Sequence, residues 1–172
     1  DVIAAQAGAG NGVKTNITDD ADDLIINGNS VTKNIAVGLA DSAKTVAANI
    51  NAVSGETGVS AQAKTYALLH NEFAADETYS LKINNKTTGD FVISRTNVSD
   101  AIDKINAISG STGVTASATS DNKVRLYSND GSDMTIENEK SLTNLRVKTL
   151  KHDGVSAQDQ VSVNAIKTDG SN

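Results

Sequence analysis

Few stretches of this chain combine residue types and spacing that could do chemistry. "AGAGNGVKT", residues 7–15, is glycine-rich and ends on Lys14-Thr15. A phosphate-cradling loop needs Gly directly before that Lys and a buried strand leading into it. Val13 holds the first position and no apolar strand precedes it, so the stretch reads as a flexible connector. "DDADD", residues 19–23, offers carboxylates for a cation. A calcium loop of the EF-hand type needs Gly at its sixth position and Glu at its twelfth. Counted from Asp19, those positions hold Leu24 and Ser30, which leaves a solvated acidic turn. His70 and His152 are the only histidines, and neither has a second metal ligand at helical spacing. No Ser lies in a nucleophile-elbow sequence. Asp100 and Asp103 pair on what reads as an exposed helix face, where charge serves solvation. Asn16-Ile-Thr18, Asn85-Lys-Thr87 and Asn97-Val-Ser99 fit the N-glycosylation pattern, a short pattern that recurs by chance in an Asn- and Thr-rich chain. The expectation is therefore no enzyme, no catalytic residue, no cofactor and no metal.

Composition narrows the classes further. The chain has 172 residues, a net charge of −6, 3% aromatic residues and no Cys, Trp or Pro. An acidic balance argues against a nucleic-acid surface, which requires clustered Lys and Arg. Disulfide frameworks and thiolate metal sites are excluded. No apolar run reaches the length of a membrane-spanning helix, and no secretory signal is visible. The start at Asp1 and the loop-like end "TDGSN" suggest an excerpt of a longer protein. With so few aromatics, the core must come from Ala, Val, Ile and Leu.

The organising feature is a repeat. "NINAVSGETGVSA" at residues 49–61 returns as "KINAISGSTGVTA" at residues 104–116, with nine of thirteen positions identical at an offset of 55. A period of that size implies two small supersecondary units. Around each copy the same order of elements is expected. Leu24–Ile26 and Val31 flank Asn27-Gly28, a hairpin turn signal because both residues tolerate positive φ. Val46, Ile50 and Val53 fall on one helical face, with Asp41 or Ser42 as N-cap and Gly55 as the stop. Gly58 then turns the backbone, and Val59, Ala61 and Ala63 alternate as the inward side of a strand.

In the second copy, Tyr79, Leu81 and Ile83 lead to an Asn84-Asn85 turn. Ala101, Ile105 and Ile108 form the helix stripe, Ser99 caps it, Gly110 ends it, Gly113 turns the chain and Val114 begins the strand. Further turns are expected at Asp121-Asn122, Gly131 and Asp153-Gly154, with a short strand over Met134–Ile136. Asn51 and Asn106 sit beside the buried stripe. Their amides are expected to satisfy nearby loop backbone rather than a ligand.

The fold class that follows is α+β. Two tandem small modules are expected, each a β-hairpin, a short amphipathic helix and further antiparallel strands. Residues 1–77 with 141–172 would form the first module. Residues 78–140 would be inserted as the second.

"INGNSV" followed by a helix ending "NINAVSGETGVSA" resembles the IN motif of bacterial flagellins and hook-associated proteins. "KINNKTTG" and "KINAISGSTGVTASATSDNKVRLYSNDGSDMTI" resemble it more fully, and the likeness spans residues 22–140. "NLRVKTLKHDG" is similar to the segment that follows such motifs. The resemblance implies an extracellular, secreted structural protein of the flagellum, namely the variable and antigenic outer region of a filament subunit, contributing to motility. It also implies that partner subunits are bound through terminal helices not present here, and that exposed loops face glycans or antibodies, with no nucleic-acid or membrane partner. Neither end shows the long heptad pattern of filament-building helices. The competing readings are an outer domain of a hook-associated or cap protein and a surface adhesin module, the latter disfavoured by the shortage of aromatics for sugar stacking.

Overall fold

The computed structural model describes residues 18, 21, 23–71, 75–140 and 145–163, with 157–163 as backbone. The glycine-rich stretch, Asn16, most of the acidic run and the chain beyond residue 163 lie outside the described residues. The fold is α+β. In order run β1 (Leu24–Gly28), β2 (Val31–Ile35), α1 (Ala43–Ala52), α2 (Ser54–Thr57), β3 (Thr65–Asn71), β4 (Glu77–Ile83), β5 (Lys86–Ile93), α3 (Ser99–Ala107), α4 (Ser109–Thr112), β6 (Thr115–Ala118), β7 (Val124–Ser128), β8 (Ile136–Asn138), β9 (Leu145–Leu150) and β10 (Ala157–Val163).

Three sheets result: β1-β2, β10-β9-β3-β7-β6, and β5-β4-β8. The β1–β2, β9–β10, β3–β9, β4–β5, β4–β8 and β6–β7 pairings are antiparallel. The described residues divide into two compact units, one of those up to 65 with 129–133, the other of those from 66 to 128 with 134–163. This division differs from the boundaries expected at residues 77/78 and 140/141. The reason is β3. Its ladder to β9 from Tyr66 to Asn71 joins residues 1–77 to residues 141–172, as the expected first module does, but on its other side it neighbours β7, of the expected second module. A boundary after residue 77 would cut that sheet.

The first unit has a thin core. Ile35, Val37, Val46 and Ala47 are buried, while Leu24, Ile26 and Ile50 are half-buried. α1 begins at Ser42, whose hydroxyl accepts from the Thr45 N–H at 3.2 Å, and its Ala-rich sequence favours helix. Residues 129–133 complete this unit from far along the sequence. The Lys44 N–H, near the start of α1, donates to Gly131 O at 3.1 Å, and the Lys44 ammonium pairs with Asp130 at 2.7 Å. Gly131 has φ 74°, and a Cβ there would stand 2.2 Å from the Ala63 Cβ.

The second unit is better filled. Tyr79, Leu81, Ile83, Phe91, Ile93, Ile105, Leu126 and Leu145 are among its buried residues. Asn84 and Asn85 both have positive φ, 46° and 65°, as a primed two-residue turn requires. α3 starts at Ser99. The expected N-cap is thus the first helical residue, and Val98 takes the cap position without a side-chain bond. The Ser99 N–H is instead received by Asn97 Oδ1 at 2.8 Å. Asp100 lies in the favourable first turn and also accepts from the Val92 N–H at 2.8 Å, tying the helix to β5. The short strand expected at Met134–Ile136 lies at Ile136–Asn138. Tyr66 and Tyr127 stack with centroids 4.9 Å apart.

The loop before β10 is held by Asp153. Its carboxylate accepts from the Ser156 hydroxyl and from the Val155 and Ser156 N–H groups. These bonds, the hydroxyl first, lower its pKa from the ordinary 3.8 to about 2. A lowered carboxylate pKa stabilises the fold above the unfolded value, and that contribution is lost as pH falls through the folded one. A carboxyl NMR titration should accordingly find the Asp153 midpoint near 2. Ser156→Ala should move the midpoint upward, toward the ordinary value.

Burial also ranks two equivalent residues. Ile105 is fully buried and Ile50 only half-buried. Ile105→Ala should cost about 2–5 kcal/mol and Ile50→Ala clearly less, read by urea unfolding with amide-exchange probes in each unit.

Candidate functional site

The repeated segment is held by a set of hydrogen bonds of which the following recur in both copies. α1 closes with Val53 N–H donating to Ile50 O, and α3 closes with Ile108 N–H donating to Ile105 O, each at 3.2 Å. A single further helical turn follows, α2 or α4. The Ser54 hydroxyl donates to Asn51 O and the Ser109 hydroxyl to Asn106 O, both at 2.7 Å. Gly58 N–H then donates to Ser54 O and Gly113 N–H to Ser109 O, both at 2.8 Å. Gly58 and Gly113 have φ 69° and 71°, the left-handed cap that a residue with a Cβ resists. Thr57 and Thr112 are buried, and each hydroxyl receives the N–H two residues on, from Val59 or Val114, at 3.2 Å.

The bonds of Asn51 and Asn106 set the direction of the exit. Asn106 Oδ1 accepts from the Ala116 N–H at 2.8 Å, while its Nδ2 donates to Ala116 O at 3.0 Å. Asn51 does the same to Ala61, at 2.8 and 2.9 Å. A carboxamide offers one acceptor and one donor in a plane, as a peptide unit does. Here it pairs with a backbone residue ten positions ahead as a neighbouring strand would. A side-chain amide on the helix thereby fixes where the strand must run.

The structure places the expected site residues unevenly. Val46, Ala101, Ile105 and Val114 are buried, while Ile50, Val53 and Ile108 are half-buried. Val59 is a correction: it is 37% exposed where its counterpart Val114 is fully covered. Residues 58–64 form no strand, so no second ladder covers Val59, whereas β6 pairs with β7 beyond Val114. Gly55 and Gly110 are also corrected. They lie inside α2 and α4 without positive φ, and a Cβ at either would meet nothing within 4 Å. The helical path ends three residues later because only there does the backbone turn left-handed.

Asn27 and Gly28 belong to β1, and the two-residue turn is Asn29-Ser30, with Ser30 at φ 67°. Gly28 is required for a different reason. Its missing Cβ would lie 1.9 Å from Thr57 O, where the Asn29 N–H bonds at 3.1 Å. Among the described residues no three His, Asp or Glu side chains group as a metal site, and no helix is long and apolar enough to cross a membrane.

Asn51 and Asn106 act as expected, their amides satisfying nearby backbone, but hydrophobic periodicity does not mark the role in setting the strand's register, because both are exposed. A signal was present nonetheless. They are identical between copies, while the exposed neighbours Asn49 and Lys104, or Glu56 and Ser111, differ.

Residues 80–130 match the family model described as the flagellin hook IN motif. The match supports a flagellin-related protein with a structural role. No curated protein matches the chain.

Two substitutions test this geometry. Asn106→Asp keeps the acceptor but turns an oxygen toward Ala116 O, so it should destabilise the second unit by about 1–3 kcal/mol. Ala116 amide exchange should accelerate with it. Gly113→Ala meets open space and should cost only the backbone strain, about 1–2 kcal/mol. Gly58→Ala should cost more, because its Cβ would also stand 2.5 Å from Asn29 Nδ2.

Proposed function

We propose that this chain is the surface-exposed outer part of a flagellin-like filament subunit, outside the wall-building helices. The observation that carries the proposal is the match of residues 80–130 to the flagellin hook IN motif, together with the same bond set at residues 49–61. On this reading the first copy is a second motif of the same kind.

The remaining features are consistent with a display scaffold. The described helices do not exceed the ten residues of α1, far short of a helix that packs along a filament. The side chains at the loop tips, such as Asn85, Asp121 and Asp153, are exposed and polar. Contacts with other subunits are assigned to terminal segments beyond this chain, and glycans or antibodies to the exposed loops. The site of action is then the extracellular flagellum, with a contribution to filament surface and motility.

An antibody raised against the chain should decorate intact flagellar filaments along their whole length. Decoration confined to the filament tip or to the junction with the hook would favour a cap or hook-associated protein instead. Decoration of the cell body alone would favour an adhesin. The isolated chain at low concentration should scatter light as a monomer, and filaments formed from it alone would overturn the outer-part assignment.

A further inference from the structure

One asparagine of the repeat meets opposite surroundings in the two copies. Asn29 and Asn84 correspond at the offset of 55, each in the turn between the paired strands of its hairpin. In the second unit the Asn84 amide is clamped. Its Nδ2 donates to Thr112 O at 2.8 Å, and its Oδ1 accepts from the Thr135 N–H at 2.9 Å. In the first unit Thr57, the counterpart of Thr112, receives the Asn29 N–H instead, at 3.1 Å. The position 55 before Thr135 is Ser80, which already belongs to β4. The Asn29 amide therefore has neither holder. It is exposed, stands over Gly58 and makes no hydrogen bond among the described residues.

Asparagine is a thermolabile residue, because the backbone nitrogen of the next residue can attack its Cγ. The attack closes a five-membered ring, so its rate follows the time the two atoms are free to approach. Hydrogen bonds on either partner hold them apart. By residue type, Asn27-Gly28 is the most susceptible described pair, since glycine presents the least hindered nitrogen. The fold protects it. Gly28 closes the hairpin ladder against Val31, and Asn27 Oδ1 accepts from the Thr32 hydroxyl at 2.8 Å. Two other turns are held on the nitrogen side. After Asn85, Lys86 closes the ladder against Ile83; after Asn122, the Lys123 N–H donates to the Thr119 hydroxyl at 2.9 Å. Asn129 precedes Asp130, whose carboxylate opposes loss of the N–H proton. The Ser30 N–H, by contrast, makes no hydrogen bond among the described residues. Ser30 also sits at φ 67°, where a residue with a Cβ is held at a cost.

We infer that Asn29-Ser30 is a self-modification site, at which the folded chain slowly converts Asn29 to aspartate and isoaspartate without an enzyme. The Ser30 nitrogen forms a bond to the Asn29 Cγ, the Cγ–Nδ2 bond breaks, and Nδ2 leaves as ammonia with the proton that Ser30 gives up. The succinimide then takes one water. Opening at Cγ leaves aspartate, and opening at the main-chain carbonyl leaves isoaspartate. Nothing is oxidised or reduced. Isoaspartate adds one carbon to the main chain, inside a two-residue turn whose length sets the Gly28–Val31 pairing. The hairpin of the first unit loses its register with age, while the clamped turn of the second unit keeps its own. The inference goes beyond the placement proposed above and does not rest on it.

The whole chain, aged at mildly alkaline pH and read by fragment-ion mass spectrometry, tests this. Isoaspartate should accumulate at Asn29 several-fold faster than at Asn27 or Asn84. In urea, where the bonds are gone, Asn27 should lead instead. Amide exchange at Val31 should accelerate in the aged chain and stay unchanged in equally aged Asn29→Gln, whose longer side chain does not close the five-membered ring. Absence of isoaspartate at Asn29, or Asn27 or Asn84 keeping pace with it in the folded chain, would overturn the site. The same ranking in urea would overturn the protection assigned to the fold. Unchanged Val31 exchange in the modified chain would overturn the loss of register.

Discussion

The pairing of the Asn106 carboxamide with Ala116 is the constraint from which the repeat unit follows. A helix of nine residues has little intrinsic stability in water, so its place must come from what it packs against. Ala101 and Ile105 bury one stripe of α3, but an apolar contact is non-directional and leaves the helix free to slide. Two hydrogen bonds in one plane remove that freedom. They set the outgoing strand beside the helix at a fixed register, ten residues after the Asn. The interval is then filled by one extra turn, a left-handed glycine and a buried threonine. Each of these is a local answer to the same closure problem, and each recurs in the first copy with distances that differ by 0.1 Å or less at the amide pair.

The same amide solves a second problem. β6 is a short edge strand without charge, and Asn106 fills the backbone positions through which another strand would add. A carboxamide can do this without the desolvation that would attend a charge held against the backbone. Positional identity of an exposed Asn is thus explained by backbone geometry and needs no ligand.

Sequence patterns located most of this. The repeat, the two helices, the Asn84-Asn85 turn and the α+β class all follow from periodicities and turn residues that act over a few positions. The misplacements have a shared origin. Gly55 and Gly110 sit where an ordinary helix would stop, but the extra turn postpones the cap to Gly58 and Gly113. Asn27-Gly28 carries a turn's composition, yet Gly28 is glycine because Thr57 O comes within 1.9 Å of where a Cβ would be. That approach joins residues 29 positions apart and leaves no trace in a local window. Val59 and Val114 stand in nearly identical sequences and differ in burial because only Val114 leads into a laddered strand. The parentage of β3 was hidden for the same reason. Its neighbour β7 arrives from much later in the chain, out of the stretch expected as the second module.

Duplication also explains why the units differ in quality. A copied segment brings its helix, its exit and its hairpin, because those depend on local residues. It does not bring strands from elsewhere in the chain to close it. The second unit has them in β7, β8 and β9, and its buried cluster is correspondingly large. The first unit substitutes a borrowed loop, with Gly131 O receiving the Lys44 N–H that a free helix start would leave to water. It also keeps a thin core of Ile35, Val37, Val46 and Ala47. Such a unit should open at lower free energy than its neighbour, since few buried apolar contacts and exposed backbone bonds define the low end of local stability. The sequence identity of two segments therefore fixes a shared bond pattern without fixing a shared stability, because stability is set by the non-local strands each copy recruits.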